Sequence, residues 1–321
     1  MSASTKVIQA AAGVGGGAPW DISGAEWLGE PVNFFSVAEQ HPSAQDLFFK
    51  PDGTKMYVVG RNGGDVDEYN LSTAWEVSSS SYLQTFDPIQ EASPTGIFFK
   101  PDGTKMYIVG NTAAVHEYDL STEWDISSAS YLQEFSTSSQ ETSPQSVFFK
   151  PDGTKMFVTG EDNDRVYMYS LSSAWDVTSA TGSGSVDVSS QENSPDGLFF
   201  KPDGTKMYVV GRGGDDVNEY DLATAWNSST SSVSFNQNFD TAFRTPRPRG
   251  VFFKPDGTVM YLVGDTLNKV DQFDLSTAWD VSSISFEEPT TRYLDVSAQE
   301  PIPRKVFFKP DGLKMYIIGF G

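Results

Sequence analysis

Any chemistry this chain performs must come from carboxylates, arginines, hydroxyls and two histidines, because it contains no cysteine. Disulfides, thiolate nucleophiles and Cys-ligated zinc are thereby excluded. His41 and His116 lie in different stretches with no repeated partners. In a sequence this rich in serine, spacing alone supports no Ser-His-Asp arrangement. Asp162-Asn163-Asp164 opens like a calcium loop, but no glycine at the sixth position and no closing glutamate follow in register, so it reads as a solvated turn. Arg244, Arg247, Arg249, Arg304 and Lys305 gather toward the C-terminus, a group suited to gripping a carboxylate or sulfate. Asp162, Asp164, Asp196, Asp215 and Asp216 crowd the region before them. The reading is therefore no catalytic set, no metal site and no cofactor.

The elements that must position these residues are set by repetition. Lys-Pro-Asp-Gly turns start at Lys50, Lys100, Lys150, Lys201, Lys254 and Lys309, spaced by 50, 50, 51, 53 and 55 residues. Each follows a Phe-Phe pair. A period of this length marks a propeller or a solenoid. Within one unit, Ile97-Phe98-Phe99 reads as a strand covered on both faces, and Pro101-Asp102-Gly103 as the hairpin turn after it. Met106-Tyr107-Ile108-Val109 is a second buried strand, Val115-His116-Glu117-Tyr118 a half-exposed third, and Tyr131 to Phe135 an outer fourth. Four antiparallel strands in about 50 residues make a propeller blade. A tryptophan recurs at one offset, as Trp75, Trp124, Trp175, Trp226 and Trp279. It is expected to seal each blade and not to serve as a sugar platform.

The sixth unit stops after two strands. Residues 1–37 supply the missing pair: Lys6 to Gln9 matches a third strand, Trp20-Asp21-Ile22-Ser23 matches the Trp connection, and Val32 to Val37 reads as a fourth strand. The expected fold is a single all-β domain over 1–321, a six-bladed propeller whose last blade joins residues 302–321 to residues 1–37. The glycine-rich stretch from Ala10 to Ala18 reads as a connection, since no Gly-Lys-Ser/Thr follows it.

A formal charge of −21 disfavours nucleic acid and anionic membranes as partners. No segment approaches the roughly 18 apolar residues of a membrane helix, and Met1 to Gly17 carries no apolar run of signal-peptide length. The expectation is a protein that stays in the cytoplasm or leaves by lysis, as part of a virion would.

Residues shared by every unit build the unit, so recognition is sought where the units differ. One set lies just ahead of the first strand, in the loop entering it, and reads Gln45, Thr95, Gln145, Asp196, Arg249 and Arg304. A second follows the glycine ending the second strand: Arg61, Asn111, Glu161, Arg212, Asp265 and Phe320. With Arg247 and Lys305 these positions form a candidate ligand-binding face at the channel mouth, opposite the Pro-Asp-Gly turns.

The unit Phe-Lys-Pro-Asp-Gly-Thr-Lys-Met-Tyr-Val-Val-Gly, followed by Asp-Leu-Ser-Thr-Ala-Trp-Asp-Val-Ser, resembles uncharacterised propeller repeats of marine bacteriophage and bacterial proteins. Its Pro-Asp-Gly-x-x-Met-Tyr-Val part is also similar to bacterial surface and lactonase-like propellers. The opening Thr5 to Gly13 resembles the starts of phage structural proteins. The resemblance implies a virion role, as a head decoration or a tail or fibre module touching a virion protein or a host glycan or protein. The alternative it implies is a sugar- or lactone-directed hydrolase at the channel mouth. Against sialidases, the turn here lacks the Ser and Trp of Ser-x-Asp-x-Gly-x-x-Trp. A third possibility is a scaffold that docks a partner through its outer strands.

Overall fold

In the computed structural model, residues 5–11, 18–22, 34–160, 162–227, 231–284 and 292–319 are described. They form six four-stranded antiparallel sheets, the blades of one propeller. Blade one spans residues 44–86, blade two 94–136, blade three 144–187, blade four 195–240 and blade five 248–295. Blade six takes its inner strands, Pro303–Phe308 and Lys314–Gly319, from the C-terminal region and its outer strands, Lys6–Ala11 and Phe34–Ser36, from the N-terminal region. Val7 pairs with Ile318 and Ile8 with Ile317, so backbone hydrogen bonds close the ring. The first described residue of the expected Val32 to Val37 strand is Phe34; Val32, like Ser23, lies outside the described residues.

The core lies between blades. Each of six apolar clusters draws on two neighbouring blades; one joins Tyr57 and Val59 to Ile97, Met106, Ile108 and Trp124. Second strands are buried on both faces, whereas the fourth strand Ser80–Phe86 is largely exposed. That gradient follows from the falling apolar content along each unit.

The recurring tryptophans are structural. Trp20, Trp75, Trp124, Trp175, Trp226 and Trp279 each sit in the left-handed region, at φ from 60 to 72°, beside the turn glycine of the same blade. A β-carbon on Gly103 would lie 2.2 Å from the Trp124 ring nitrogen, so glycine meets both the φ of +76° and the close approach. The Trp124 amide then donates to the Gly103 carbonyl at 3.0 Å. The previous blade reaches across to the same residue: Tyr57 donates to the Trp124 carbonyl at 2.6 Å, Tyr107 to Trp175 at 2.7 Å, Tyr208 to Trp279 at 2.7 Å and Tyr316 to Trp75 at 2.7 Å, and Tyr261 bonds Trp20 likewise. Trp20 thereby occupies the sixth copy of the sealing position.

A second cross-blade bond runs from third strands. Glu68 accepts from Ile126 at 3.0 Å, Glu117 from Val177 at 2.9 Å, Glu219 from Val281 at 2.9 Å, Gln272 from Ile22 at 2.8 Å and Gln9 from Val77 at 2.8 Å. Blade three departs from both patterns, with Phe157 where others carry tyrosine and Met168 where others carry Glu or Gln.

Candidate functional site

First strands begin earlier than their apolar runs suggest. They start at Ala44, Pro94, Pro144, Pro195, Pro248 and Pro303. Proline is tolerated there because it opens an edge strand, where an amide is dispensable. Pro94 pairs with Gly110, but the next pair is Gly96 with Val109, so Thr95 is an extra residue. The same shift follows Ala44, Pro144, Pro195, Pro248 and Pro303. The six extra residues are Gln45, Thr95, Gln145, Asp196, Arg249 and Arg304, the first variable set. These residues are thus bulges within the strand, not part of the loop ahead of it. A bulge leaves its residue unpaired and re-aims its side chain, here toward the axis.

Together with Lys305, the six line one pocket at the channel mouth. On the turn side of this pocket lies an aromatic collar. At four of the six seams the first phenylalanines of neighbouring Phe-Phe pairs meet edge-to-face, as in Phe48 with Phe98 at 5.9 Å and Phe252 with Phe307 at 6.0 Å. The pocket volume is about 10 Å³, room for roughly one water molecule.

Mouth residues stitch blades together. Arg249 donates to Asp196 at 3.0 Å and through two nitrogens to Asp265, at 2.8 and 2.5 Å. Arg212 donates to Asp196 at 3.0 Å, Arg304 to Gln45 at 2.7 Å and Arg61 to Gln145 at 3.1 Å. Thr95 turns its hydroxyl inward to the Pro144 carbonyl at 2.8 Å. Arg61, Arg212 and Asp265 of the second set therefore join the first. Asn111 is exposed and stands apart from this network, and Glu161 and Phe320 lie outside the described residues. Arg247 stays on the rim, half exposed and 3.6 Å from Asp265, while Arg244 is no part of the pocket. Acidic and basic residues interleave at the mouth, with Asp196 between Arg212 and Arg249.

The mouth is nonetheless electropositive. Arg61, Arg212, Arg249, Arg304 and Lys305 face the carboxylates Asp46, Asp196 and Asp265, on a chain of charge −21. Burial, then the neighbouring Arg249, pushes Arg304 down to about 9, which still leaves it protonated at neutral pH. Burial raises Asp46 against the pull of Lys305.

Beneath the variable face runs a buried polar layer that spacing did not reveal. Glu91, Glu141, Glu192 and Glu300 end the loops leading into blades two, three, four and six, and each is fully buried. Glu91 accepts from the Ser93 and Thr112 amides, both at 2.9 Å, and Glu192 from Ser194 at 2.7 Å and Gly213 at 2.9 Å. The glutamate thus ties the approach loop to the loop between strands two and three. At the same position, blade one has His41 and blade five Thr245. Both histidines belong to this layer and both have acidic neighbours. His116 shares a 2.7 Å hydrogen bond with Thr112 and lies 3.1 Å from Glu134. Burial holds its pKa below the usual value despite Glu134 and Glu91. Aligning the Gln-Glu loop endings with the third-strand residue that faces them is the signal that would have exposed this layer. Asp162 accepts from Thr142, in keeping with a surface turn.

No family model matches the chain, and no curated protein does. Solved structures share the architecture at low identity. A functionally unknown protein from Desulfotomaculum acetoxidans DSM 771 is 11% identical with a TM-score of 0.56, over 97% of this chain and 83% of that one. A protein from Lactobacillus plantarum is 16% identical with a TM-score of 0.56, over 77% and 73%. Kuenenia stuttgartiensis hydrazine synthase is 13% identical with a TM-score of 0.55, over 87% and 93%. At these identities the likeness is one of fold alone, and the chain is a six-bladed β-propeller.

Proposed function

We propose that the chain is a non-enzymatic binding propeller that presents the bulge-built mouth and its surrounding loops to an anionic group on a partner. One observation carries this reading. Six register shifts bring the non-repeating residues of six near-identical strands around one point, and cations outnumber carboxylates there. Arginine forks in a sparsely hydrated setting suit carboxylate or sulfate. The pocket takes one water or one oxygen of such a group, so the rest of the ligand must lie on the rim.

The repeat resemblance supports a phage particle as the setting, with a virion protein or a host surface glycan as partner. The hydrolase alternative draws less support, since the lining of Gln, Thr, Asp, Arg and Lys includes no histidine, and a sugar ring does not fit the pocket. Two measurements test the proposal. Mass spectrometry of purified particles should find the protein, and its absence would remove the virion setting. Calorimetry with sulfated and uronic oligosaccharides should show binding that weakens with salt and with Arg304→Gln. Equal binding of neutral oligosaccharides would overturn the anionic specificity.

A further inference from the structure

We propose that His41, Asp65 and Asp67 form a binding site for one divalent transition ion of the zinc or manganese class, at the outer rim of blade one on the variable face. The three offer one imidazole nitrogen and two carboxylate oxygens within 4.8 Å of one another, the one such group among the described residues. Asp65 and Asp67 are two positions apart at the start of the third strand Val66–Leu71, a spacing that puts side chains on one face. His41 comes to them from the loop leading into blade one.

A buried His–Asp pair is the plainer account of this trio, and the geometry argues against it. The His41 ring is completely buried, yet neither nitrogen has a hydrogen-bond partner. Nε2 lies 3.1 Å from an Asp67 oxygen and Nδ1 3.6 Å from Asp65 Oδ1, without hydrogen-bond alignment, and Asp65 Oδ1 is itself unpartnered. Buried polar atoms are almost always satisfied. His116, in the same layer of blade two, keeps its Nε2 partnered by Thr112 and only its Nδ1 without a hydrogen bond, whereas His41 has neither nitrogen partnered. The contrast with the other blades is sharper still. At this position Glu91, Glu141, Glu192 and Glu300 each accept a backbone amide two residues on, a bond imidazole at His41 does not make. Blade one has given up a loop-tying carboxylate and gained a ring nitrogen facing two acids.

The donor set fits the ion class. Imidazole with carboxylates suits zinc or manganese, and two carboxylates balance a 2+ charge. Asp67 is held from behind: Thr85 donates to its Oδ1, and Tyr82 and Thr85 share a 2.7 Å hydrogen bond. Such outer partners orient metal ligands. Asp65 is 21% exposed, which gives the ion a route from solvent and leaves coordination positions for water or a partner's donor.

The test uses full-length protein stripped with a chelator, titrated separately with zinc chloride and manganese chloride by calorimetry. Bound ion per chain is then counted by elemental mass spectrometry after desalting. The expected result is one ion per chain and a melting temperature that rises with ion concentration. Asp65→Asn, at a partly exposed position, should keep the metal-free melting temperature and lose affinity by more than the about 10–100-fold typical of an outer partner. His41→Gln should lose it too, and Asp65→Asn keeps the test valid if that variant fails to fold. Asp162→Asn, in a surface turn, should bind as wild type. Absence of a bound ion, wild-type affinity in Asp65→Asn, or an equal loss in Asp162→Asn would each overturn the site.

Discussion

The seam between blades three and four gives a quantitative test of what holds the ring together. Phe157→Tyr would install the hydroxyl that five other seams possess. The ring is already placed for it: Phe157 lies 4.4 Å from Phe200 and 6.2 Å from Trp226, against 4.4 Å from Tyr57 to Phe99 and 6.4 Å from Tyr57 to Trp124. The new hydroxyl should reach the Trp226 carbonyl as Tyr107 reaches Trp175. A hydrogen bond of this kind nets about 1 kcal/mol. The expected gain is thus ~1 kcal/mol, and the reverse change, Tyr107→Phe, should cost about 1–2 kcal/mol because a buried carbonyl loses its donor. With an unfolding entropy of about 2.1 cal/mol/K per residue, 1 kcal/mol corresponds to a shift of ~1–2 °C in a domain of this length. Calorimetry, with denaturant unfolding followed by tryptophan fluorescence, resolves both changes. A lower melting temperature for Phe157→Tyr alongside an unchanged one for Tyr107→Phe would refute the idea that these bonds hold the seams.

Four further outcomes are expected. Burial raises Glu300 from 4.5 to about 7, so the folded state holds a proton that the unfolded chain releases; stability should fall by about 3 kcal/mol as pH rises through that window, and Glu300→Gln should flatten the slope in pH-dependent denaturant titrations. Arg249→Leu strips Asp196 and Asp265, which are 8% and 11% exposed, of a shared cation; it should cost about 3–5 kcal/mol by denaturant unfolding, largely recovered by adding Asp196→Asn and Asp265→Asn. Gly103→Ala places a methyl against Trp124 at positive φ and should lower stability by more than about 3 kcal/mol, a loss visible in thermal melts. Removing residues 1–36 uncovers the Lys314–Gly319 edge and should yield aggregated protein, rescued by co-expressing that segment; soluble monomer without it would contradict the closure.

Much of the fold is legible because the chain states it six times. Phe-Phe-Lys-Pro-Asp-Gly marks where first strands end, and the match of Trp20 to Trp124 finds the closing blade. The start of those strands is hidden, because a bulge breaks the alternation on which strand reading depends. Gln45 and its counterparts therefore stand out as variable residues at the mouth without the bulge that holds them there being visible. Cross-blade bonds are hidden for another reason: Tyr57 and Trp124 are 67 residues apart, and a tyrosine in a buried strand gives no sign of where its hydroxyl points. The His41 trio joins the approach loop of blade one to the start of its third strand, and it shows only when loop endings and third strands are compared blade by blade.

The six bulges also separate two kinds of sequence freedom. Because each extra residue is left out of the ladder, its identity is not dictated by strand pairing or by the apolar seams. Gln, Thr, Asp and Arg all stand at this one position while the Phe-Phe pair behind it never changes. The mouth thus behaves as six independently addressable letters on a fixed frame. A lineage can rewrite what the propeller recognises by changing letters, subject only to the charge balance its arginines and aspartates keep with one another.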